Sequence, residues 1–525
     1  VDTVLVFDQT GQKCLSPDTV ARVVPSPLLA AMPSVFDKHT EDDYNDFIYE
    51  RNLPEILSRE GPRAAVGDVN GDGLADLYIG GAAGQAGQLY IQTKSGTFVK
   101  KREKVFDDFA NFEDVAVLFF DCDNDGDLDL LVCPGGNNFP PESKEMQLRL
   151  YKNDGKGNFT LDPAAFPDNM SNIGVAAAYD FDGDGDLDLF MGGRSIPRDY
   201  GLDPQSYIFV NDGKGHFTDM AKIKNPDISA IGMVTSAAWA DITGGKRRDL
   251  VIAGEWMSPR IFSYNGDHFV EVKTNLDSLY GWWESMSVGD LDGDGRQDIV
   301  LGNVGENFYL RPDLQHPVKL WINDFNNNGT MDKILTRTVD GQDKTVFLKH
   351  ELQEQIPAIK KQNLQHFEYA KKTMQELFPA EVLSKCIMKK FNYGSSIIAY
   401  NRGHGQFEIR KLPPLAQISC INAIHQIDLN HDGYPDLILG GNKYGFPPQF
   451  GRLDASYGDI LLNDKKGGFT RLNYFQSGLE IRGEVKDIVE IPTAKSDDIL
   501  FLINDDFPAL FETSGGSKKW GSPTN

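Results

Sequence analysis

The run Asp180-Phe181-Asp182-Gly183-Asp184-Gly185-Asp186-Leu187-Asp188, continued by Leu189-Phe190-Met191 and Gly192-Gly193, narrows what this chain can become more than any other stretch. Carboxylates at loop positions 1, 3, 5 and 9 converge when the backbone coils tightly. The glycine at position 6 supplies the bend, and the carbonyl at position 7 completes an oxygen shell. An all-oxygen set this dense suits a hard cation with about six to eight ligands, Ca²⁺ rather than Zn²⁺. The first half of the loop is that of an EF-hand. The second half is not, because position 12 is Met191 instead of a bidentate glutamate, and a β-type run follows where a helix would start. The stretch reads as a calcium loop closing a β-hairpin.

The pattern recurs. The expected ligand sets are Asp68, Asn70, Asp72, Leu74 and Asp76; Asp121, Asp123, Asp125, Asp127 and Asp129; Asp180, Asp182, Asp184, Asp186 and Asp188; Asp290, Asp292, Asp294, Arg296 and Asp298; and Asp428, Asn430, Asp432, Tyr434 and Asp436. In each set the fourth residue offers its carbonyl. A sixth acidic loop, Asp324, Asn326, Asn328 and Asp332, uses asparagine twice and is expected to bind more weakly. The prediction is thus five calcium sites, or six if this loop also binds. At Asp241-Ile242-Thr243-Gly244-Gly245, Asp249 lies at the right distance but positions 3 and 5 hold no carboxylate, so this hairpin is expected to fold without metal. The last hairpin, 485–491 with 498–503, keeps its strands and has lost the loop.

After each loop comes a second hairpin, with turns such as Asn153-Asp154-Gly155 and Asn211-Asp212-Gly213 that supply positive φ. Four short strands every ~50–60 residues is the spacing of propeller blades. The reading is an all-β fold, a β-propeller with its calcium loops between the first two strands of each blade. Hairpins near 68, 121, 180, 241, 290, 428 and 487 give seven blades, or eight if 318–339 forms one of its own.

Hydrophobic residues make up 40% of the 525, enough for a core. The formal charge of −25 is concentrated in the loops, where bound metal would offset it, and it disfavours nucleic acid as a partner. Cys14, Cys122, Cys133, Cys386 and Cys420 lack metal-ligand spacing and form no disulfide framework. No apolar run reaches the ~18 residues of a membrane span. Val1 opens without a signal-peptide pattern, which predicts either a removed leader or the C-terminal part of a longer chain.

Outside the repeats, 1–24 reads as a small hairpin and 25–62 as a lead-in packing on the body, with Val35-Phe36 offering a closing strand. The propeller spans 63–512 and 513–525 is a flexible tail. An insertion at about 303–395 turns helical over about 349–391, where Leu352, Ile356, Ile359, Phe367, Ala370, Met374, Leu377 and Phe378 recur at helical spacing and Pro379 starts a further helix.

These loops resemble FG-GAP/VCBS repeats, the units of the integrin-α-type propeller. Gly302-Asn303-Val304-Gly305-Glu306-Asn307, Leu320-Trp321-Ile322-Asn323-Asp324 and Gly451-Arg452-Leu453-Asp454-Ala455-Ser456 resemble large exported VCBS-repeat proteins of Bacteroidetes-type bacteria. Those proteins often carry an ASPIC-type segment related to cartilage acidic protein, whose end 1–24 resembles. The resemblance implies an exported, calcium-dependent binding protein at the cell surface or outer membrane, of the kind that includes lipoproteins. It implies no ligand.

Ligand-binding residues are expected on the face opposite the calcium loops, where second strands pass into third strands: Arg194, Glu255, Trp256, Asn303, Asn307, Arg452 and Asp454. There a funnel could gather a sugar or a peptide end, although blade-to-blade hydrogen bonding would use the same side chains. Trp282 and Trp283 read as core or blade interface. The insertion is expected to dock a protein or to cap the funnel. No His-Glu-x-x-His, Gly-x-Ser-x-Gly or phosphate-binding Gly-rich motif occurs, so an enzyme is not expected. Three functions follow in order: a surface module engaging a partner protein, as in an outer-membrane uptake complex; a glycan-binding protein; and a polysaccharide-active enzyme.

Overall fold

Each acidic-loop hairpin runs into a second strand with an unbroken apolar run, such as Leu77-Tyr78-Ile79, Leu130-Leu131-Val132-Cys133 and Leu189-Phe190-Met191. A strand greasy on both faces needs a partner on both. The computed structural model, which describes residues 26–169, 171–245 and 247–514, shows how this is met. Seven four-stranded antiparallel blades stack around an axis, so that each is covered by both neighbours.

Blade 1 consists of Ala64–Gly67, Asp76–Ile79, Gln88–Gln92 and Phe98–Lys101. Blades 2, 3 and 4 repeat the order over 114–162, 172–219 and 233–272, and blade 6 over 421–471. Blade 5 is split: Gly281–Gly289 and Asp298–Asn303 pair with Ile397–Asn401 and Phe407–Lys411 across the insertion. Blade 7 takes Val485–Pro492, Asp497–Ile503 and Ala509–Thr513 from the end of the chain, and its outermost strand, Leu29–Met32, from the beginning. This closing strand precedes the expected Val35-Phe36. Phe36 instead packs on Tyr90 and Phe98 of blade 1.

The first strands contact one another in a ring, 64–67 touching both 114–120 and 485–492. Seven apolar clusters mark the seven junctions. Leu77 and Ile79 face Leu500 and Leu502 of blade 7, while Tyr78, one residue between them, faces Leu130 and Val132 of blade 2. Leu131 and Cys133 then face Leu189 and Met191 of blade 3. The period of two is preserved, with both sides of the strand buried.

The insertion is not an eighth blade. Its hairpin, Val318–Asn323 with Asp332–Val339, pairs with Gln342–Thr345 on one edge and Ile387–Phe391 on the other, as a separate four-stranded sheet. The expected helical stretch is five short helices between Lys349 and Leu383, and its last residues are the strand Ile387–Phe391. Leu352, Ile356, Ile359, Met374, Leu377 and Phe378 form a small core against Trp321 and Ile334. Tyr369 completes that core, and the expected Phe367 is exposed.

One more cluster fixes the site described next. Val318, Leu320, Ile322, Phe347 and Phe391 of the insertion meet Trp256 and Trp282 of the propeller, with Leu53 and Leu57 of the lead-in between them. The face expected to hold the funnel is therefore covered by two segments outside the repeats. Residues 1–24 and the tail from 515 lie outside the described residues.

Candidate functional site

The acidic loops coil as their residue types require. Position 6 takes positive φ in each, as at Gly126 (91°) and Gly185 (101°). In the loop at Asp68, one carboxylate oxygen of Asp68 accepts the Gly71 N–H at 2.8 Å and the other that of Gly73 at 2.7 Å, and the Leu74 N–H donates to Asp72 at 3.0 Å. The same position-7 to position-5 bond recurs at Asp127, Asp186, Arg296 and Tyr434. Carboxylate oxygens of Asp121, Asp123 and Asp125, of Asp180, Asp182 and Asp188, and of Asp290, Asp292 and Asp294 lie within 4.8 Å of one another. These clusters could hold metal ions. Oxygens of Asp121, Asp123, Asp188 and Asp292 are buried without a hydrogen-bond partner, which is what a cation ligand looks like when its lone pairs have no protein donor. Basic side chains come close: Lys152 Nζ is 2.9 Å from Asp123, and Arg402 Nη1 2.6 Å from Asp292.

The sixth loop lies in the insertion sheet. Asp324 accepts N–H groups of Asn328 and Gly329, Asp332 accepts that of Phe325, and the Asn326 amide is turned onto the Gln355 carbonyl at 2.9 Å. At the fourth blade, Asp249 accepts from the Ile242 and Thr243 N–H groups at 3.1 and 2.8 Å, so the shortened loop satisfies itself.

The residues expected to bind ligand divide into two sets. Arg194, Glu255, Trp256 and Asn303 are at most 3% exposed. Arg194 Nη2 lies 2.6 Å from Glu255 and 3.4 Å from Glu55, and its Nε 2.5 Å from Glu60. Lys443 Nζ lies 2.6 Å from Glu55, 2.8 Å from Glu284 and 3.5 Å from Glu255. Glu55 comes from the lead-in, so a segment outside the repeats completes this ionic knot. Burial and the charge of Glu255 push the Glu55 carboxyl well up; burial would also raise Glu255, but Arg194 and Lys443 hold it down at about 2. The Trp256 indole donates to the Tyr200 hydroxyl at 2.8 Å and packs edge-on to Trp282. Asn303 donates to the Tyr393 carbonyl at 2.9 Å. Asn307, Arg452 and Asp454 stay exposed; Arg452 pairs with Asp454 at 3.0 Å over the Tyr444 ring.

A family model of the FG-GAP-like repeat matches residues 68–132, 139–191 and 246–301. Three stretches of the propeller thus match FG-GAP-like repeats. A search of the curated proteins returned no match. Among solved structures, the chain is similar to the Dos1 propeller (9% identity, 89% of this chain and 95% of that one, TM-score 0.38) and to YCF48 bound to the D1 peptide (8%, 91% and 100%, 0.39). It is also similar to the V. cholerae biofilm matrix protein Bap1 (10%, 91% and 90%, 0.34). FG-GAP-like repeats on a propeller make a scaffold suited to a binding or accessory protein.

In these blades the position-9 carboxylate serves more than the loop. Asp188 accepts the Asn211 N–H at 3.0 Å, and the Asn211 amide donates to Leu187 of its own blade at 3.1 Å and to Cys122 of the preceding blade at 2.8 Å. Asn153 links Asp129 to Val69 in the same way, Asn463 links Asp436 to Leu291, Asn401 links Asp298 to Ile242, and Gln92 links Asp76 to Pro492. The loops are thus tied to the blade junctions. The recurring Asn-Asp-Gly reads as a turn, and only the repeated asparagine at the end of the third strand signals the clamp. Burial pushes the Asp76 and Asp188 carboxyls up to about 7.

Proposed function

We propose that this chain is an exported, non-enzymatic surface protein whose FG-GAP propeller is stabilised by calcium and whose insertion engages a partner protein of an outer-membrane nutrient-uptake system. The observation that carries the reading is the use of the two faces. The funnel face is filled by the lead-in and covered by the insertion sheet, and the tip of the insertion carries Leu348, Leu364 and Phe367 at 56%, 83% and 55% exposure beside Lys360, Lys361 and Lys371. Apolar side chains held out in and beside short helices, among exposed lysines and glutamates, are typical of a protein contact.

Calcium would be held by the side chains at positions 1, 3, 5 and 9 and the carbonyl at position 7 of the five full loops; bound there, it would neutralise carboxylates that otherwise repel. The donor set, all oxygen with buried unpartnered atoms, supports this choice of ion. Export and the surface location rest on the likeness to exported VCBS-repeat proteins carrying an ASPIC-type segment. The glycan reading is weaker, since Arg194, Glu255, Trp256 and Asn303 are buried and only Asn307, Arg452 and Asp454 remain accessible.

Deleting 340–392 would not test the proposal, because it removes Phe391 and uncovers Trp256 and Trp282. The test is the variant Leu364→Ser with Phe367→Ser, used beside the wild-type protein to capture partners from solubilised membranes of the source cells, in calcium and in chelator. A membrane protein retained by wild type in calcium and lost by the variant is expected. Equal capture by both proteins, or none by either, refutes a docking role for the tip.

A further inference from the structure

The first strands leave a passage along the propeller axis. At its sealed end, under the lead-in, lies a cavity of about 50 Å³ lined by Arg59, Arg63, Arg194, Lys443 and Lys486, with Glu60, Glu284 and Asn422. A second space of about 190 Å³ shares Arg63, Val115, Gly174 and Thr235 with it and continues along the first strands. Val66, Val117, Ala178 and Val288, further toward the calcium loops, are partly exposed. The passage is therefore blind at the funnel end and reached from the calcium-loop side.

The five cations at the blind end are not equally paired. Arg194 and Lys443 have carboxylates at 2.5 to 2.8 Å. Arg63 comes no nearer than 3.9 Å to Asp487, Lys486 no nearer than 3.8 Å to Glu484, and Arg59 has no carboxylate within 4.0 Å among the described residues. Three under-neutralised cations face one small space, and Arg194, 3% exposed, keeps its Nη1 without a partner. That is an anion-seeking arrangement. Two other lining residues add a further demand, because Asn422 Oδ1 and Glu60 Oε2 are buried acceptors without donors. A ligand that satisfies the whole wall must present several oxygens to the cations and at least one proton to an acceptor.

We propose that the blind end of the axial passage binds a small oxyanion that carries its own proton, as hydrogen phosphate does and as a phosphate monoester does in its monoanionic form. Arg63, Lys486 and Arg59 would hold its charge, Arg194 Nη1 would give a further hydrogen bond, and Asn422 or Glu60 would accept its proton. The cavity is roomy enough for several atoms, since about 10–15 Å³ of such space already holds a water. The larger space beyond it would take the remainder of an ester. The site needs neither the calcium loops nor the insertion tip, so it stands apart from the function proposed above.

The test uses the intact protein, titrated calorimetrically at pH 6, where about half of a monoester keeps its proton, with inorganic phosphate, with glycerol phosphate and with sulfate, at a calcium level low enough to keep calcium phosphate dissolved. Saturable binding of one phosphate per chain is expected, with sulfate at least about tenfold weaker because it brings no proton to the buried acceptors. Tighter binding of glycerol phosphate than of phosphate would identify the monoester as the ligand source, and the reverse the free ion. Lys486→Gln and Arg63→Gln should each abolish the binding. Phosphorus NMR line broadening with the wild-type protein gives a second reading if either variant fails to fold. No saturable phosphate binding, equal binding of sulfate, or folded variants that bind as wild type does would overturn the proposal.

Discussion

Replacing Asn211 by alanine is expected to loosen the junction of blades 2 and 3. The Asn211 amide is 4% exposed and serves two backbone carbonyls, Cys122 at 2.8 Å and Leu187 at 3.1 Å. Alanine removes both donors and leaves two buried acceptors in a gap too small for an easy replacement. A buried group left unsatisfied costs about 1–3 kcal/mol, so the pair should cost about 2–6 kcal/mol. In a chain this large each kcal/mol moves the melting temperature by only about 1–2 °C, which predicts a fall of several degrees. Asn211→Asp should be worse than alanine, since it sets a carboxylate against the same two carbonyls. Lys214→Ala, in the exposed turn beside it, should stay within about 0.5 kcal/mol of wild type. Asn153 clamps blade 2 onto blade 1 through Val69 and shares no partner with Asn211, so the two alanine variants should add within about 0.5 kcal/mol. The assay is thermal and urea unfolding by tryptophan fluorescence in calcium. A change under about 0.5 kcal/mol for Asn211→Ala, or an aspartate variant as stable as alanine, would refute the clamp.

Asp184→Ala combined with Asp125→Ala should lower the melting temperature in calcium and narrow the gap between melts in calcium and in chelator; an unchanged gap would defeat the structural role of the ion. Glu255→Gln removes the carboxylate shared by Arg194 and Lys443, and breaking a buried ionic knot from one side should cost about 3 kcal/mol or more in unfolding measurements. Burial pushes the Glu41 carboxyl up to about 7 from 4.5, against the opposing hydrogen bond from Asn504. The folded state then holds a proton that the unfolded chain releases, so this contribution is fully present below pH 4.5 and is lost as pH rises through about 7. Glu41→Gln should remove a loss of up to about 3 kcal/mol across that window and flatten the stability profile between pH 5 and 8. His39 beside it is driven down to about 4 by burial and by Lys486, so its contribution has the opposite slope, fading below about pH 6.5. An identical profile for wild type and Glu41→Gln would count against the buried carboxyl.

What the sequence reveals is what the fold repeats. The loop spacing, the glycine at position 6 and the two-faced second strands recur in blade after blade, and each recurrence is a separate witness to the same local physics. Blade number follows from counting them, because a hairpin buried on both sides cannot exist without a neighbour. The position-9 aspartates show where that logic thins. Asp76, Asp129, Asp188, Asp298 and Asp436 are recognisable as loop residues, yet their bond to the third strand crosses about 16–103 residues of chain, and nothing local marks the partner. The funnel failed to appear for a different reason. Arg194, Glu255 and Trp256 stand where an open propeller would present them, and they are buried by Leu53, Glu55 and Leu57 from before the first blade and by Val318, Leu320 and Phe391 from the insertion. Neither segment repeats, so neither carries a periodic signal of its position. The insertion is misread for a related reason. Its apolar residues keep helical spacing through Phe378, but Ile387–Phe391 is drawn into a strand by the open edge of Val318–Asn323, a tertiary pairing that outweighs local preference. The consequence is functional. A symmetric ring offers equivalent surfaces all round, and it is the non-repeating segments that make them unequal, closing one end of the axis and leaving the passage accessible from the other.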